Sequence, residues 1–211
     1  MASPESVSRA AELLREAASR DATDPDQRLE RGLLVAAALR EVLSHEPVVV
    51  GGTAEDFWTA DEYHQTDLDL VTWPLTRREQ VVLRGLGFSR EGRHWVHGVT
   101  GLPVEFPESR LAGDEARIHR HPIGDGVASI IGVEDLYLDR IRQSTVDPED
   151  VRLPTYLSAL AIAASNHDRM DWRYVDSAIR GETDVDPRLM RKIHRRVRRT
   201  IAERLQRRGS R

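Results

Sequence analysis

The chain lacks cysteine altogether, carries a single lysine (Lys192) among its 31 basic residues, and has no long apolar run. Without cysteine there can be no disulfide, no thiolate metal site and no cysteine nucleophile. The longest unbroken apolar stretches, 33–39 and 159–164, fall far short of the roughly 20 residues that a membrane-spanning helix needs. Residues 1–8 include an acid and lack the basic-then-apolar pattern of a secretory signal, so the expectation is a cytoplasmic protein with no membrane association. Also missing are a G-x-S-x-G elbow, a Walker A loop and an H-E-x-x-H motif, which leaves hydrolase, P-loop and zincin readings unsupported.

What is present suits one domain, or one domain with a helical extension: 211 residues, 39% of them hydrophobic and 31% charged. The formal charge of −4 is unevenly spread. Residues 188–211 hold eleven basic side chains against Glu203 alone, a net of +10, which leaves −14 for the rest. Within that basic stretch Leu189, Ile193, Val197, Ile201 and Leu205 recur every fourth residue, the pattern of an amphipathic helix. Such a helix can dock its apolar stripe on the acidic body, and its arginines can hold an RNA backbone.

The spacing of apolar residues predicts helices over 4–20 and 24–42, the second opened by Asp24-Pro25-Asp26 and ended before Pro47. Val48-Val49-Val50 reads as a short buried strand closed by Gly51-Gly52, with a short helix over 54–58. A strand is expected at 67–73, a helix at 76–86 stopped by Gly87, and strands at 94–96, 102–106, 116–121 and 128–131. From residue 133 onward the pattern is helical: 133–142, 155–164, 172–179 and the basic tail. The expected fold is therefore α/β (α+β), a small mixed sheet flanked by helices. The stretch 144–154 is the expected boundary between an α/β part, 1–143, and a helical part, 144–211.

Chemistry concentrates in two motifs. A strand running into Gly51-Gly52-Thr53 and then a helix brings bare backbone N–H groups and a helix N-terminus to one point, suited to phosphate oxygens. In Asp67-Leu68-Asp69 the two-residue period of a strand sends both carboxylates to one face and Leu68 to the other. Adjacent carboxylates repel unless a cation lies between them, and hard oxygen donors select Mg²⁺ or Mn²⁺. A third acid is wanted from a neighbouring strand. Glu105 in Val104-Glu105-Phe106 supplies it, with Glu108 and Asp114 close enough in sequence to compete. His94 and His97, and His119 and His121, are expected to be solvent-facing or hydrogen-bonded imidazoles. Asn166-His167-Asp168 is expected to be a helix end, and Trp172 and Tyr174 core aromatics.

Gly51-Gly52-Thr53, then Asp67-x-Asp69, then a third carboxylate on a later strand resembles the polymerase-β-type nucleotidyltransferase superfamily. Residues 48–71 are most similar to its small prokaryotic members related to abortive-infection toxins of toxin–antitoxin systems. The resemblance spans roughly residues 30–142. It implies that Gly51, Gly52 and Thr53 hold triphosphate, with Thr53 where serine is commonest. Asp67 and Asp69 would be the catalytic metal-binding pair, with Glu105 the third metal ligand and base toward the incoming hydroxyl. Arg140 stands where relatives carry a basic residue, commonly lysine, that reaches the nucleotide phosphates. His64-Gln65-Thr66 replaces the basic residue that many relatives carry ahead of Ser or Thr. The implied activity is Mg²⁺- or Mn²⁺-dependent transfer of a nucleoside monophosphate from an NTP to a hydroxyl of a tRNA or a protein, with an antitoxin as partner. The rival expectation is a non-catalytic module of the same fold that binds RNA or a partner protein.

Overall fold

The computed structural model describes residues 2–59, 67–107 and 109–209. They group into two compact units, Met1–Gly132 and Val133–Arg211, the parting falling ahead of 144–154.

In the first unit, helices α1 (Pro4–Ala18) and α2 (Pro25–Val42) open on Ser3 and Asp24, whose side chains accept from the N–H of Ser6 and Gln27, with proline at the first helical position of each. Ala10, Leu13, Leu14 and Ala17 of α1 are buried, as is nearly all of the second half of α2, Gly32 to Leu39. The two helices pack on each other, and α2 packs on the sheet. The strands are β1 (Val48–Val49), β2 (Leu68–Val71), β3 (Phe88–Glu91), β4 (His94–His97), β5 (Pro103–Glu105), β6 (His119–Ile123) and β7 (Gly126–Ile130). They form one mixed seven-stranded sheet in the order β3-β4-β5-β2-β1-β7-β6. The β1–β7 and β2–β5 pairs are parallel and the others antiparallel. Helix α3 (Gly51–Thr59) follows β1 and packs on β2, and α4 (Arg77–Gly85), opened by a Thr76/Glu79 capping box, packs on β3.

The expected α/β architecture is what the chain adopts, with two local differences. The strand expected at 116–121 begins instead with a 3₁₀ turn, Glu115–Arg117, because the Asp114 carboxylate accepts from the Ala116 N–H; pairing starts at His119. β6 then tolerates Pro122 because it is the edge strand, where a missing donor breaks no second ladder. The other difference is β3, whose Ser89, Arg90 and Glu91 are exposed on the opposite edge and carry no apolar alternation.

The second unit is helical: α5 (Val133–Gln143), α6 (Pro154–Ser165), α7 (Trp172–Arg180) and α8 (Pro187–Gly209). Met190, Ile193, Val197 and Ile201 of α8 are buried, and the helix packs on α5, α6 and α7, whereas Leu205 is half exposed. Asn166 caps the end of α6, its N–H donating to the Ile162 carbonyl. Trp172 packs edge-on to Tyr137, and the Tyr174 hydroxyl donates to Asp135. Among the described residues no helix is long and apolar enough to cross a membrane.

Two carboxylates tie distant parts of the first unit together. Arg120 donates two hydrogen bonds to Glu46, burial opposes them, and Ser129 and Arg40 add their own, so the Glu46 carboxyl is held down to about 2 from an ordinary 4.5. Burial pushes Glu79 up, but donors from Ser44 and Thr76 outweigh it and bring that group to about 2 as well. A depressed folded-state value contributes stability that is present above the unfolded value and lost as pH falls through the folded one. The contribution of these two groups to the urea midpoint is therefore constant above pH 5 and falls between 4.5 and about 2. Glu46→Gln should cost about 1 kcal/mol at pH 7, after discounting for solvent screening, and flatten part of that slope. Urea unfolding monitored at several pH values measures both.

Candidate active site

β1 ends in a turn that only glycine adopts easily. Gly51 has φ +62°, and its Cα stands so close to β2 that an added Cβ would lie 2.3 Å from Asp69 Oδ2. The Val50 N–H donates to the Asp69 carbonyl, extending the β1–β2 ladder to this point. Thr53, buried in the first turn of α3, donates its hydroxyl to the Asp67 carbonyl at 3.4 Å. The glycine turn and the aspartate strand are thus fastened to each other. Gly52 is buried beside them.

The sheet register assembles the rest. Leu68 and Leu70 are fully buried on one face of β2, which leaves Asp69 on the other, and Asp67 keeps that face two residues earlier. Asp69 is the direct neighbour of Glu105 across the parallel β2–β5 pair. Trp95 faces Val104 across the antiparallel β4–β5 pair, so the next residues along, His94 and Glu105, also stand opposite each other. The result is a row across three strands, His94–Glu105–Asp69, with Asp67 beside it.

Side-chain distances follow from that row. Ligand atoms of Asp67, His94 and Glu105 all lie within 4.8 Å of one another. His94 Nε2 is 3.4 Å from Glu105 Oε2 and 4.0 Å from Asp67 Oδ2, and Arg93 Nε is 3.1 Å from the same Glu105 oxygen. Among the described residues this is the cluster that could hold a metal ion, and Asp69 adjoins it with its carboxylate over Gly51. Two carboxylates and an imidazole facing one point, with a third carboxylate next to them, fit a divalent cation.

The remaining expected residues are placed differently. Arg140 lies on α5 in the second unit, where its guanidinium donates to Ser158, Asp139 and Gln143. Asp114 caps the 3₁₀ turn, and Glu108 and His64-Gln65-Thr66 lie outside the described residues. His97 is buried and bonded to Thr100, and burial lowers its pKa. His119 and His121 pack against Phe57, with His119 also touching Trp58. His94 is a hydrogen-bonded imidazole, as expected: Nε2 accepts from Arg93 Nε at 3.3 Å, and its two acidic partners come from other strands. A cavity of about 680 Å³ lined by His45, Val48, Val71 and Trp73 opens at the opposite end of the β1–β2 ladder.

The antigenic nucleotidyltransferase-like protein from Paracoccidioides brasiliensis superposes on 81% of this chain and 94% of its own length, with a TM-score of 0.52 at 13% identity. The fold is nucleotidyltransferase-like. The antibiotic-resistance factor ANT(2'')-Ia aligns over 73% of this chain and 90% of its own, with a TM-score of 0.46 at 16% identity. No family model matches the chain, and no curated protein does. On this nucleotidyltransferase-like fold, the glycine turn after β1 and the acids of β2 and β5 share one region of the first unit.

Proposed function

We propose that the protein is a metal-dependent nucleotidyltransferase that moves a nucleoside monophosphate from an NTP to a hydroxyl acceptor, a tRNA or a protein side chain. The observation that carries this is the glycine turn of Gly51 pressed against Asp69, with Asp67 and Glu105 on the same sheet face. Backbone N–H groups at Gly51, Gly52 and Thr53, at the start of α3, receive the triphosphate. Asp67, Asp69 and Glu105 would hold Mg²⁺ or Mn²⁺, which when bound neutralises charge developing on the phosphates. Glu105 takes the proton of the incoming hydroxyl, the acceptor oxygen bonds to the α-phosphorus, and the bond to pyrophosphate breaks. The resemblance also assigns the nucleotide phosphates to Arg140.

The basic face of α8 supports RNA as the acceptor. Arg188, Arg191, Lys192, Arg195, Arg196 and Arg199 line one groove of about 470 Å³, and of these Lys192 and Arg196 pair with Glu149. A toxin-like role restrained by an antitoxin rests on the resemblance of residues 48–71 alone. The second reading, a non-catalytic module that binds RNA or a partner protein, is favoured by one observation: Arg93 and His94 both sit on Glu105, the carboxylate that transfer requires.

The test is incubation with each α-labelled NTP, Mg²⁺ or Mn²⁺ and total tRNA, followed by a gel for label in RNA and in protein. Label should appear, and fall at least about a hundredfold in Asp67→Ala and in Asp69→Ala. Absence of label with every nucleotide, despite retained RNA binding, would establish the second reading.

A further inference from the structure

We infer that His94 is itself a ligand of the divalent cation and that it turns the site toward Mn²⁺ and away from Mg²⁺. The inference rests on the metal-holding part of the proposed function and is independent of whether transfer occurs. Its basis is the sheet register. β4 and β5 are antiparallel with Trp95 opposite Val104, which fixes His94 opposite Glu105 on the face that also carries Asp67 and Asp69.

The distances agree with a ligand position. His94 Nε2 reaches both acids, at 3.4 Å from Glu105 and 4.0 Å from Asp67, and the three ligand atoms fall within 4.8 Å of one another. Each donor needs to move by little to reach a common cation at about 2.0–2.2 Å. All three side chains are partly shielded, with Glu105 at 16%, Asp67 at 27% and His94 at 28% exposure, so the site excludes part of its water while remaining open to a substrate. His94 Nε2 accepts from Arg93 Nε at 3.3 Å and the same guanidinium nitrogen pairs with Glu105, so a cation would displace Arg93, whose side chain is 71% exposed and can swing into water. The other two paired histidines, His119 and His121, rest on Phe57.

The donor set decides the ion. Mg²⁺ is small, holds its water tightly and prefers six oxygens, and a neutral imidazole nitrogen is a poor exchange for one of them. Mn²⁺ accepts carboxylates and imidazole together in octahedral geometry close to that of Mg²⁺, and a nitrogen donor costs it less than it costs Mg²⁺. A site of Asp67, Asp69 and Glu105 alone would bind either ion through oxygen. With His94 it gains affinity for Mn²⁺ relative to Mg²⁺.

Mn²⁺ binding is measured by calorimetry, and the bound ion by pulsed electron paramagnetic resonance, which detects nitrogen coordinated directly to Mn²⁺. The wild-type protein should bind Mn²⁺ about tenfold or more tighter than Mg²⁺ and show coupling to one imidazole nitrogen. His94→Gln places an amide oxygen near the position of Nε2; it should lose the nitrogen coupling and about tenfold in Mn²⁺ affinity, with Mg²⁺ affinity within about twofold. Thermal unfolding of the apo variant verifies that it is folded. Bound Mn²⁺ without nitrogen coupling in the wild type, equal loss for both ions in His94→Gln, or no binding of Mn²⁺ at all would overturn the inference. Transfer activity with no nitrogen coupling would sink this inference and leave the proposed function standing; coupling without transfer would do the reverse.

Discussion

Gly51→Ala should abolish nucleotidyl transfer while costing about 2–4 kcal/mol in stability, the largest effect expected from a single methyl group in this chain. Two costs combine. A side chain at φ +62° is strained by about 1–2 kcal/mol, and the new Cβ would lie 2.3 Å from Asp69 Oδ2, 3.1 Å from its Cγ and 3.2 Å from its Cβ. Because all three atoms are crowded, Asp69 cannot escape by turning its carboxylate. The whole side chain or the β1–β2 pairing must shift. Gly101→Ala separates the two costs, since Gly101 has φ +63° and nothing within 4 Å of the added atom. That control should lose only the backbone part, with unchanged transfer. Urea unfolding and the labelling assay on both variants make the comparison. Wild-type transfer in Gly51→Ala would mean that Asp69 can leave its place without consequence, and the glycine turn would then be only a turn.

The second large effect is expected on RNA. Arg188, Arg195 and Arg199 lie exposed along one face of α8, and among the described residues none has a carboxylate partner. Replacing all three with glutamate should weaken tRNA binding about a hundredfold or more at low salt. It should also reduce the slope of log affinity against log salt by about 0.7–0.9 for each phosphate that is no longer neutralised. The apolar stripe of Met190, Ile193, Val197 and Ile201 is untouched, so helix packing and thermal stability should change little. A filter-binding series in salt reads both quantities. An unchanged slope would remove RNA from this face and leave a protein as the acceptor.

The sequence makes the fold legible where information is local. Ser3-Pro4 and Asp24-Pro25 announce helix starts, Val48-Val49 a buried strand, and Leu68 and Leu70 the inward face that sends Asp67 and Asp69 outward. Gly51-Gly52 is readable as a turn, but the reason for glycine at 51, the approach of Asp69, is not. Ser89-Arg90-Glu91 hides a strand because an edge exposed to water asks for no alternation. His94 illustrates the larger gap. Nothing near it in sequence is a metal-binding acid in the right period, and its neighbours in space are set by two strand pairings, β4 with β5 and β5 with β2. Register is a property of the pairing, so a residue chosen by register escapes any reading of one stretch at a time.

The parallel join of β2 to β5 also has a consequence for how the molecule comes to be. β3, β4 and β5 form a local meander that can pair early, whereas β2 must wait until the chain has passed through α4 and that meander before Leu68 and Asp69 find Val104 and Glu105. His94 and Glu105 therefore arrive on one piece of the nascent chain, and the aspartates on another. A cation bridging them would clamp a late-forming seam of the sheet, acting on how fast the native state opens far more than on how fast it forms.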